Sequence, residues 1–131
     1  GRYFTLYKRW HLIGLEVGVS VASVALRGEP TGVATAWNAD VVATAKRDLQ
    51  PGELLDGEGG YTVWGKLLPA ATSTRLGGLP LGLAHGIKVV RPVKKGQSLS
   101  WADVAIDTTT HAYRIRREME SLFAAPLLKA A

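Results

Sequence analysis

Hydrophobic and polar positions follow one short pattern twice in the chain, with an offset of 44 residues. In each copy, alternating apolar residues run into a charged stretch, then reach an apolar anchor, a glycine three positions later and a leucine three positions after that. Alternation has the period of a β-strand, and the Pro-Gly and Lys-Gly pairs are typical of turns. The pattern predicts two equivalent strand–turn segments in one compact β unit, with the four apolar anchors buried. The corresponding positions are Leu49 and Val93, Gly52 and Gly96, and Leu55 and Leu99.

A helix is predicted on the N-terminal side of the repeats, over residues 11–27. The segment is rich in aliphatic residues, and it is followed by a glycine and Pro30, which is typical of a helix end. Small residues recur in it at four-residue spacing, at Gly14, Gly18 and Ala22. Such a face allows close packing, so we expect it to lie against another element, in this chain or in a second copy.

A second helix is predicted on the C-terminal side, over residues 108–125. Thr108 to Thr110 supply candidate N-caps, and Pro126 is expected to end the helix. Arg114, Arg116 and Arg117 are expected on or beside its polar face. Its apolar stripe is predicted to consist of Ala112, Ile115, Met119, Leu122 and Phe123.

The segment between the repeats predicts little regular structure. Residues 61–65 have the composition of a strand, whereas residues 69–83 hold too many glycines and prolines for long elements. The second repeat continues into a predicted one-turn helix, with Ser100 as the N-cap and Asp103 as the third residue of a capping box.

The two repeats resemble the SAF domain, the antifreeze-like β-clip module of sialic acid synthases, sugar-acid dehydratases, flagellar and pilus assembly proteins and type III antifreeze proteins. The resemblance covers about residues 38–107. It implies an α+β fold, in which a small β-clip domain over 38–107 is flanked by an N-terminal segment (1–37) and by a C-terminal helix and tail (108–131). It does not define the function, because proteins with this fold do different things.

The first thirty residues are similar to a second family. Residues 3–16 and 25–32 resemble the homoserine-dehydrogenase-like NAD(P)-dependent oxidoreductases, which include deoxyxylulose-phosphate-reductoisomerase-like members. In that family, Rossmann and catalytic domains precede a C-terminal SAF domain. The resemblance implies that residues 1–37 form the tail of a catalytic domain, that NAD(P) is the cofactor of the full-length protein, and that those upstream domains and further copies of the chain are its partners.

Composition agrees with part of a larger cytoplasmic protein. The chain has 131 residues, starts without methionine, and has room for one modest core. It contains no cysteine, which excludes disulfides and thiolate metal sites. No signal peptide is visible, and the first helix segment is short for a membrane span. The net charge of +5 slightly favours anionic ligands and does not by itself predict nucleic-acid binding.

Residues with recognisable chemistry are few. Gly57, Gly59 and Gly60 do not complete a dinucleotide-binding fingerprint, so we expect no cofactor-binding residue in this chain. The three histidines are far apart and lack ligand spacing, so no metal site is expected.

Two groups of charged residues are candidates for a site. Lys8, His11 and Glu16 are weak catalytic candidates. They could supply a general acid–base pair, because Glu16 falls about one helical turn beyond His11. The alternative is the exposed beginning of a helix.

Arg75, Lys88 and Arg91 are candidates for anion binding, Arg75 within a glycine-rich stretch that could cup an anion. The alternative for Lys88 and Arg91 is a solvated turn that keeps strand edges from pairing, and the alternative for Arg75 is a glycine-rich loop that crosses the β-clip.

The function expected from these observations is that of an accessory SAF domain. It would complete or cover the catalytic domain of an NAD(P)-dependent oxidoreductase and contribute subunit contacts, without turnover by itself. One alternative is a binding module for sugar acids or other anionic small molecules. A less favoured one is an assembly module of flagella or pili.

Overall fold

The computed structural model describes Thr5, residues 7–10 and residues 12–129, with side chains described as far as Phe123. The chain forms two compact units, whose boundary falls between Thr35 and Ala36. His11 lies outside the described residues.

The first unit contains the predicted N-terminal helix. Helix α1 (Ile13–Ala22) continues as a π-helical turn, Ser23–Arg27, and ends at Gly28, which has a φ of 66°. This agrees with the expected helix and its C-terminal glycine. A Cβ added to Gly14 or Gly18 would meet no described neighbour within 4 Å. Packing of the small-residue face against a second chain therefore stays a prediction.

In its described residues, the second unit contains two small antiparallel sheets and two further α-helices. Strand β1 (Ala39–Ala45) pairs with β3 (Val63–Pro69). The other sheet has the order β2-β4-β5, with β2 (Leu54–Asp56), β4 (His85–Val89) and β5 (Val104–Ala105). Helix α2 (Ala70–Leu76) follows β3, a 3₁₀ turn (Trp101–Asp103) precedes β5, and α3 (His111–Lys129) ends the unit. The expected α+β fold class is confirmed.

The two repeats meet at their apolar anchors. The amide of Leu49 donates to the carbonyl of Val93 at 2.8 Å, and the amide of Val93 donates to the carbonyl of Leu49 at 3.1 Å. Both side chains are fully buried, and so are Leu55 and Leu99, which confirms the predicted burial of the four anchors.

The hydrogen bonds around this contact are equivalent after exchange of the repeats. The amide of Ala45 donates to the carbonyl of Gln97 at 2.9 Å, and the amide of Val89 donates to the carbonyl of Glu53 at 2.8 Å. Ala45 corresponds to Val89 and Glu53 corresponds to Gln97 at the offset of 44, so exchanging the two repeats converts one bond into the other. The repeats are therefore intertwined halves of one β unit.

The core lies between these halves, and both contribute to it. Its buried hydrophobic residues are Ala43, Ala45, Leu49, Leu55, Val63, Leu79, Ala84, Val89, Val93, Leu99 and Val104. Trp101 packs against the edge of this cluster. The turn that carries Trp101 is held by the predicted capping box, in which the Ser100 amide donates to the Asp103 carboxylate at 2.8 Å.

Helix α3 differs from the prediction at its end and on its packed face. It begins after Thr110, as expected, but continues past Pro126 to Lys129, so the predicted end was wrong. A proline removes one intrahelical hydrogen bond, and a helix can continue beyond it with a kink. The predicted apolar stripe is only partly correct, since Met119 and Phe123 are partly buried whereas Ile115 is 52% exposed and Leu122 is 66% exposed.

The packed face of α3 also carries polar side chains. Tyr113, Arg116 and Glu120 are partly buried. The expectation that Arg116 lies on or beside the polar face was therefore wrong, because this arginine finds buried partners on other elements.

Candidate functional site

An ion pair joins the first strand of the β unit to its last helix. On β1, Asp40 receives two hydrogen bonds from Arg116 of α3, at 3.0 Å from Nη1 and 2.5 Å from Nη2. Only 13% of the Arg116 side chain and 6% of the Asp40 side chain are exposed. A bidentate contact of this kind fixes both distance and orientation, so it sets the position of α3 on the sheet.

Three further residues complete this pair. Ser73 of α2 donates its hydroxyl hydrogen bond to the Asp40 Oδ2 atom at 2.5 Å. The Arg116 Nε atom donates to Glu120 at 2.8 Å, and the guanidinium lies 4.9 Å from the centroid of the Trp37 ring. Each charge of the pair therefore has several partners, which is what burial of an ion pair requires.

The ionisation of the pair follows from these contacts. Burial would raise the pKa of Asp40, but the hydrogen bonds from Arg116 and Ser73 and the charge of Arg116 lower it below its ordinary value. Burial would lower the pKa of Arg116, but its hydrogen bonds to Asp40 and Glu120 raise it. Both groups are charged at neutral pH, and neither is suited to proton transfer.

A cavity of about 340 Å³ opens beside this network, between α2, the Trp101–Asp103 turn and α3. It is lined by Ser73, Thr74, Gly77, Trp101, Arg117, Glu120 and Ser121. Its volume falls within the range of about 300–1,000 Å³ that is common for small-molecule sites.

Trp101 forms one wall of this cavity. Its ring makes an edge-to-face contact with Tyr113, with centroids 5.5 Å apart, and the Arg117 guanidinium lies 5.5 Å from its centroid. The indole Nε1 atom is buried and has no hydrogen-bond partner among the described residues. Its neighbour in the ring, Cδ1, lies 3.8 Å from the place that a Cβ on Gly77 would occupy. The donor edge of the indole is therefore close to the glycine that lines the cavity.

The structure places the weak catalytic candidates in the first unit. Lys8 and Glu16 form an ion pair, and Glu16 also accepts from the Leu12 amide at 3.4 Å. His11 lies outside the described residues. The catalytic role of these residues stays a prediction.

The anion-binding candidates lie on different elements. Arg75 is exposed on α2 and donates to the Thr72 hydroxyl of the same helix at 3.2 Å. Lys88 is exposed on β4, and Arg91 is exposed shortly after that strand. Their joint role in binding an anion stays a prediction.

Asp56 stabilises the glycine-rich turn that sequence reasoning left without a role. Its carboxylate accepts from the Tyr61 amide at 2.5 Å, from the Thr62 amide at 3.0 Å and from the Thr62 hydroxyl. The hydrogen bond from the Thr62 side chain, together with the two amides, lowers the pKa of Asp56 to about 2. A Cβ on Gly60 would lie 2.1 Å from the Asp56 carboxyl carbon, so the turn closes tightly around this carboxylate.

Sequence reasoning singled out the glycine-rich stretch around Arg75, which supplies Ser73, Thr74 and Gly77 to the cavity, but it missed the α3 side of the cavity and the buried ion pair. One signal for them was the spacing of Arg116 and Glu120, which are four positions apart and so lie on one helical face. Among the residues that the structure describes, no three histidine or acidic side chains come together as a metal site. None of the described helices has both the length and the apolar composition to span a membrane.

Comparison with known proteins identifies the β unit. The family model described as SAF domain matches residues 40–105, which are 66 of the 131 residues. No curated protein matches the chain significantly in sequence. The matched range runs from Asp40 to the end of β5 and contains both repeats. The chain therefore belongs to the SAF domain family.

Proposed function

We propose that this chain is the SAF region of an NAD(P)-dependent oxidoreductase. In this proposal it completes or covers the catalytic domain, contributes contacts between subunits and does not turn over substrate by itself. The similarity of residues 3–16 and 25–32 to the homoserine-dehydrogenase-like family supports the choice of enzyme class.

The exposed apolar surface of helix α1 is the observation that carries this proposal. Aliphatic side chains along the helix are between 54% and 75% exposed, and they belong to Ile13, Leu15, Val17, Val19 and Val21. Burying one such side chain contributes about 1.5–3 kcal/mol. A helix of 10 residues is marginal in water by itself, so α1 requires a covering protein surface.

The charged groups of the β unit support an accessory role rather than a catalytic one. Asp40 and Arg116 are paired with each other, and the carboxylate of Asp56 accepts three hydrogen bonds from its own turn. These groups stabilise the fold, and hydride transfer requires a cofactor held by a dinucleotide-binding fold.

The reading frame upstream of Gly1 provides the first test. We expect it to encode, in frame, a strand, a Gly-x-Gly-x-x-Gly turn and a helix, followed by a catalytic domain. A frame without a dinucleotide-binding domain would exclude the proposed enzyme class.

Hydrogen exchange provides the second test. The amides of α1 should exchange rapidly in the isolated chain and slowly in the full-length protein, since the catalytic domain would cover the helix. Strand β1 is the internal control, because its pairing with β3 should protect it in both proteins. Equally rapid exchange of α1 in both would show that this helix does not dock on the catalytic domain.

A further inference from the structure

We propose that the cavity between α2, the Trp101–Asp103 turn and α3 binds a small uncharged polyol. This site is separate from the docking role proposed for α1 and from the anion-binding candidates Arg75, Lys88 and Arg91. The kind of ligand follows from which hydrogen-bond donors and acceptors the polar groups of the lining can still offer.

The hydroxyl groups of the lining already donate hydrogen bonds within the protein, so they offer acceptor oxygens to a ligand. Ser73 donates to Asp40 at 2.5 Å, and Thr74 donates to the carbonyl of Ala70 at 2.9 Å. In the same way, Ser121 donates to the carbonyl of Glu118 at 3.1 Å. A hydroxyl has one proton and two lone pairs, so each of these oxygens still has acceptor capacity.

The Glu120 carboxylate adds a fourth acceptor group. Its two oxygens receive hydrogen bonds from Arg116 and Arg117, and a carboxylate can accept about four in total. The lining is therefore rich in acceptors, and a ligand must supply several O–H or N–H donors.

The ligand must also supply at least one acceptor. Arg117 lines the cavity with a guanidinium of five N–H donors, and the structure shows one of its nitrogens donating to Glu120. A ligand oxygen in the cavity can accept a hydrogen bond from the remaining N–H groups of Arg117. A hydroxyl group both donates and accepts, so a molecule with several hydroxyls matches both halves of the lining.

The charges of the lining select against ionic ligands. Arg117 and Glu120 are the charged residues that line the cavity, and they pair with each other. A carboxylate ligand would face Glu120 and has no proton to offer the acceptors. An ammonium ligand would face Arg117, with Arg116 next to Glu120. An uncharged polyol avoids both repulsions.

The test uses the indole signal of Trp101 in ¹H–¹⁵N spectra of the full chain. The four tryptophans give separate indole signals, and Trp101→Phe assigns the relevant one by its loss. We expect a saturable shift, confined to this signal, on titration with at least one of glycerol, myo-inositol and glucose. Glucuronate and glucosamine, which add a negative and a positive charge, should bind more weakly than glucose.

Two variants on α3 separate the cavity from general surface effects. Ser121→Leu places a bulky side chain at the cavity and should abolish the saturable shift without changing the melting temperature, because Ser121 is exposed. Glu118→Leu adds the same side chain to the helix outside the cavity lining and should leave the shift intact.

Three outcomes would overturn the proposal. The first is the absence of a saturable shift with any of the three polyols, which would mean that water alone occupies the cavity. The second is tighter binding of glucuronate or glucosamine than of glucose. The third is an unchanged shift in Ser121→Leu.

Discussion

Gly52 and Gly96 occupy equivalent turns of the two repeats and hold them together by reciprocal hydrogen bonds. The amide of Gly52 donates to the carbonyl of Val89, and the amide of Gly96 donates to the carbonyl of Ala45, both at 2.8 Å. Their φ angles are 95° and 81°, a region that side chains with a Cβ rarely adopt. Glycine is therefore required at both positions by backbone conformation.

Replacing either glycine with alanine should destabilise the domain through the backbone alone. No described atom lies within 4 Å of an added Cβ at Gly52 or Gly96, so steric contact contributes nothing. The expected loss in the free energy of unfolding is about 1–2 kcal/mol for each variant. Urea denaturation at neutral pH measures it.

The matched control for these variants is Gly82→Ala. Gly82 also has open space around its Cβ position but lacks a positive φ. It should be neutral or slightly stabilising, because alanine restricts the unfolded chain. Equal losses in all three variants would contradict the explanation from φ.

Truncation of Leu49 should be among the most damaging changes to the core. Leu49→Ala removes a fully buried side chain from the contact between the repeats, and a loss of about 2–5 kcal/mol is expected. The same substitution at Leu54, which is exposed on β2, should cost far less. Comparable midpoints of urea unfolding for the two variants would place the core elsewhere.

Breaking the buried ion pair should release α3 from the sheet. Arg116→Met leaves Asp40 buried without its countercharge, so we expect a loss of about 3–5 kcal/mol. Arg114→Met, at an exposed position of the same helix, is the control and should change little. Adding Asp40→Leu to Arg116→Met should recover part of the loss, and a double-mutant cycle measures the coupling.

Acid should destabilise the domain through carboxylates whose pKa is lowered by folding. Asp40 and Asp56 both have a pKa below the ordinary 3.8, and that of Asp56 is about 2. Their contribution is complete above the unfolded value and is lost as the pH falls through the folded pKa. The free energy of unfolding should therefore decrease from about pH 4 towards about pH 2.

Asp56→Asn identifies the part of this pH dependence that belongs to the glycine-rich turn. At neutral pH the variant should be less stable than the parent protein, and the difference should shrink as the pH is lowered. A difference that stays constant down to the folded pKa of about 2 would mean that the ionised carboxylate does not stabilise the turn.

The isolated chain should not bind NAD or NADP. Its glycines do not form the phosphate-binding turn between a strand and a helix, and α2, which follows β3, begins after Pro69 rather than after a glycine-rich loop. Titration calorimetry with millimolar nucleotide measures this. Saturable heat would contradict the expectation and reveal a nucleotide site of another kind.

Local sequence patterns were sufficient for several elements of the fold. The Ser100 and Asp103 capping box forms as predicted, because its donors and acceptors lie within one turn of the chain. The end of the first helix at Gly28 was predictable for the same reason. Pro126 misled the prediction of α3, because proline is a probabilistic helix end rather than an absolute one.

The sequence by itself determined the β unit and its internal symmetry. The repeated spacing of Leu49 with Gly52 and of Val93 with Gly96 identifies anchors and turns, because a buried position selects an apolar residue and a positive φ selects glycine. Only the tertiary structure decided that Arg116 lies inside. From the sequence, an arginine in a helix is expected on the exposed face. Arg116 is buried because Asp40, which lies 76 positions away in the sequence, compensates the cost of its desolvation. The cavity beside Trp101 was hidden for the same reason, since its walls come from three elements that meet only after folding.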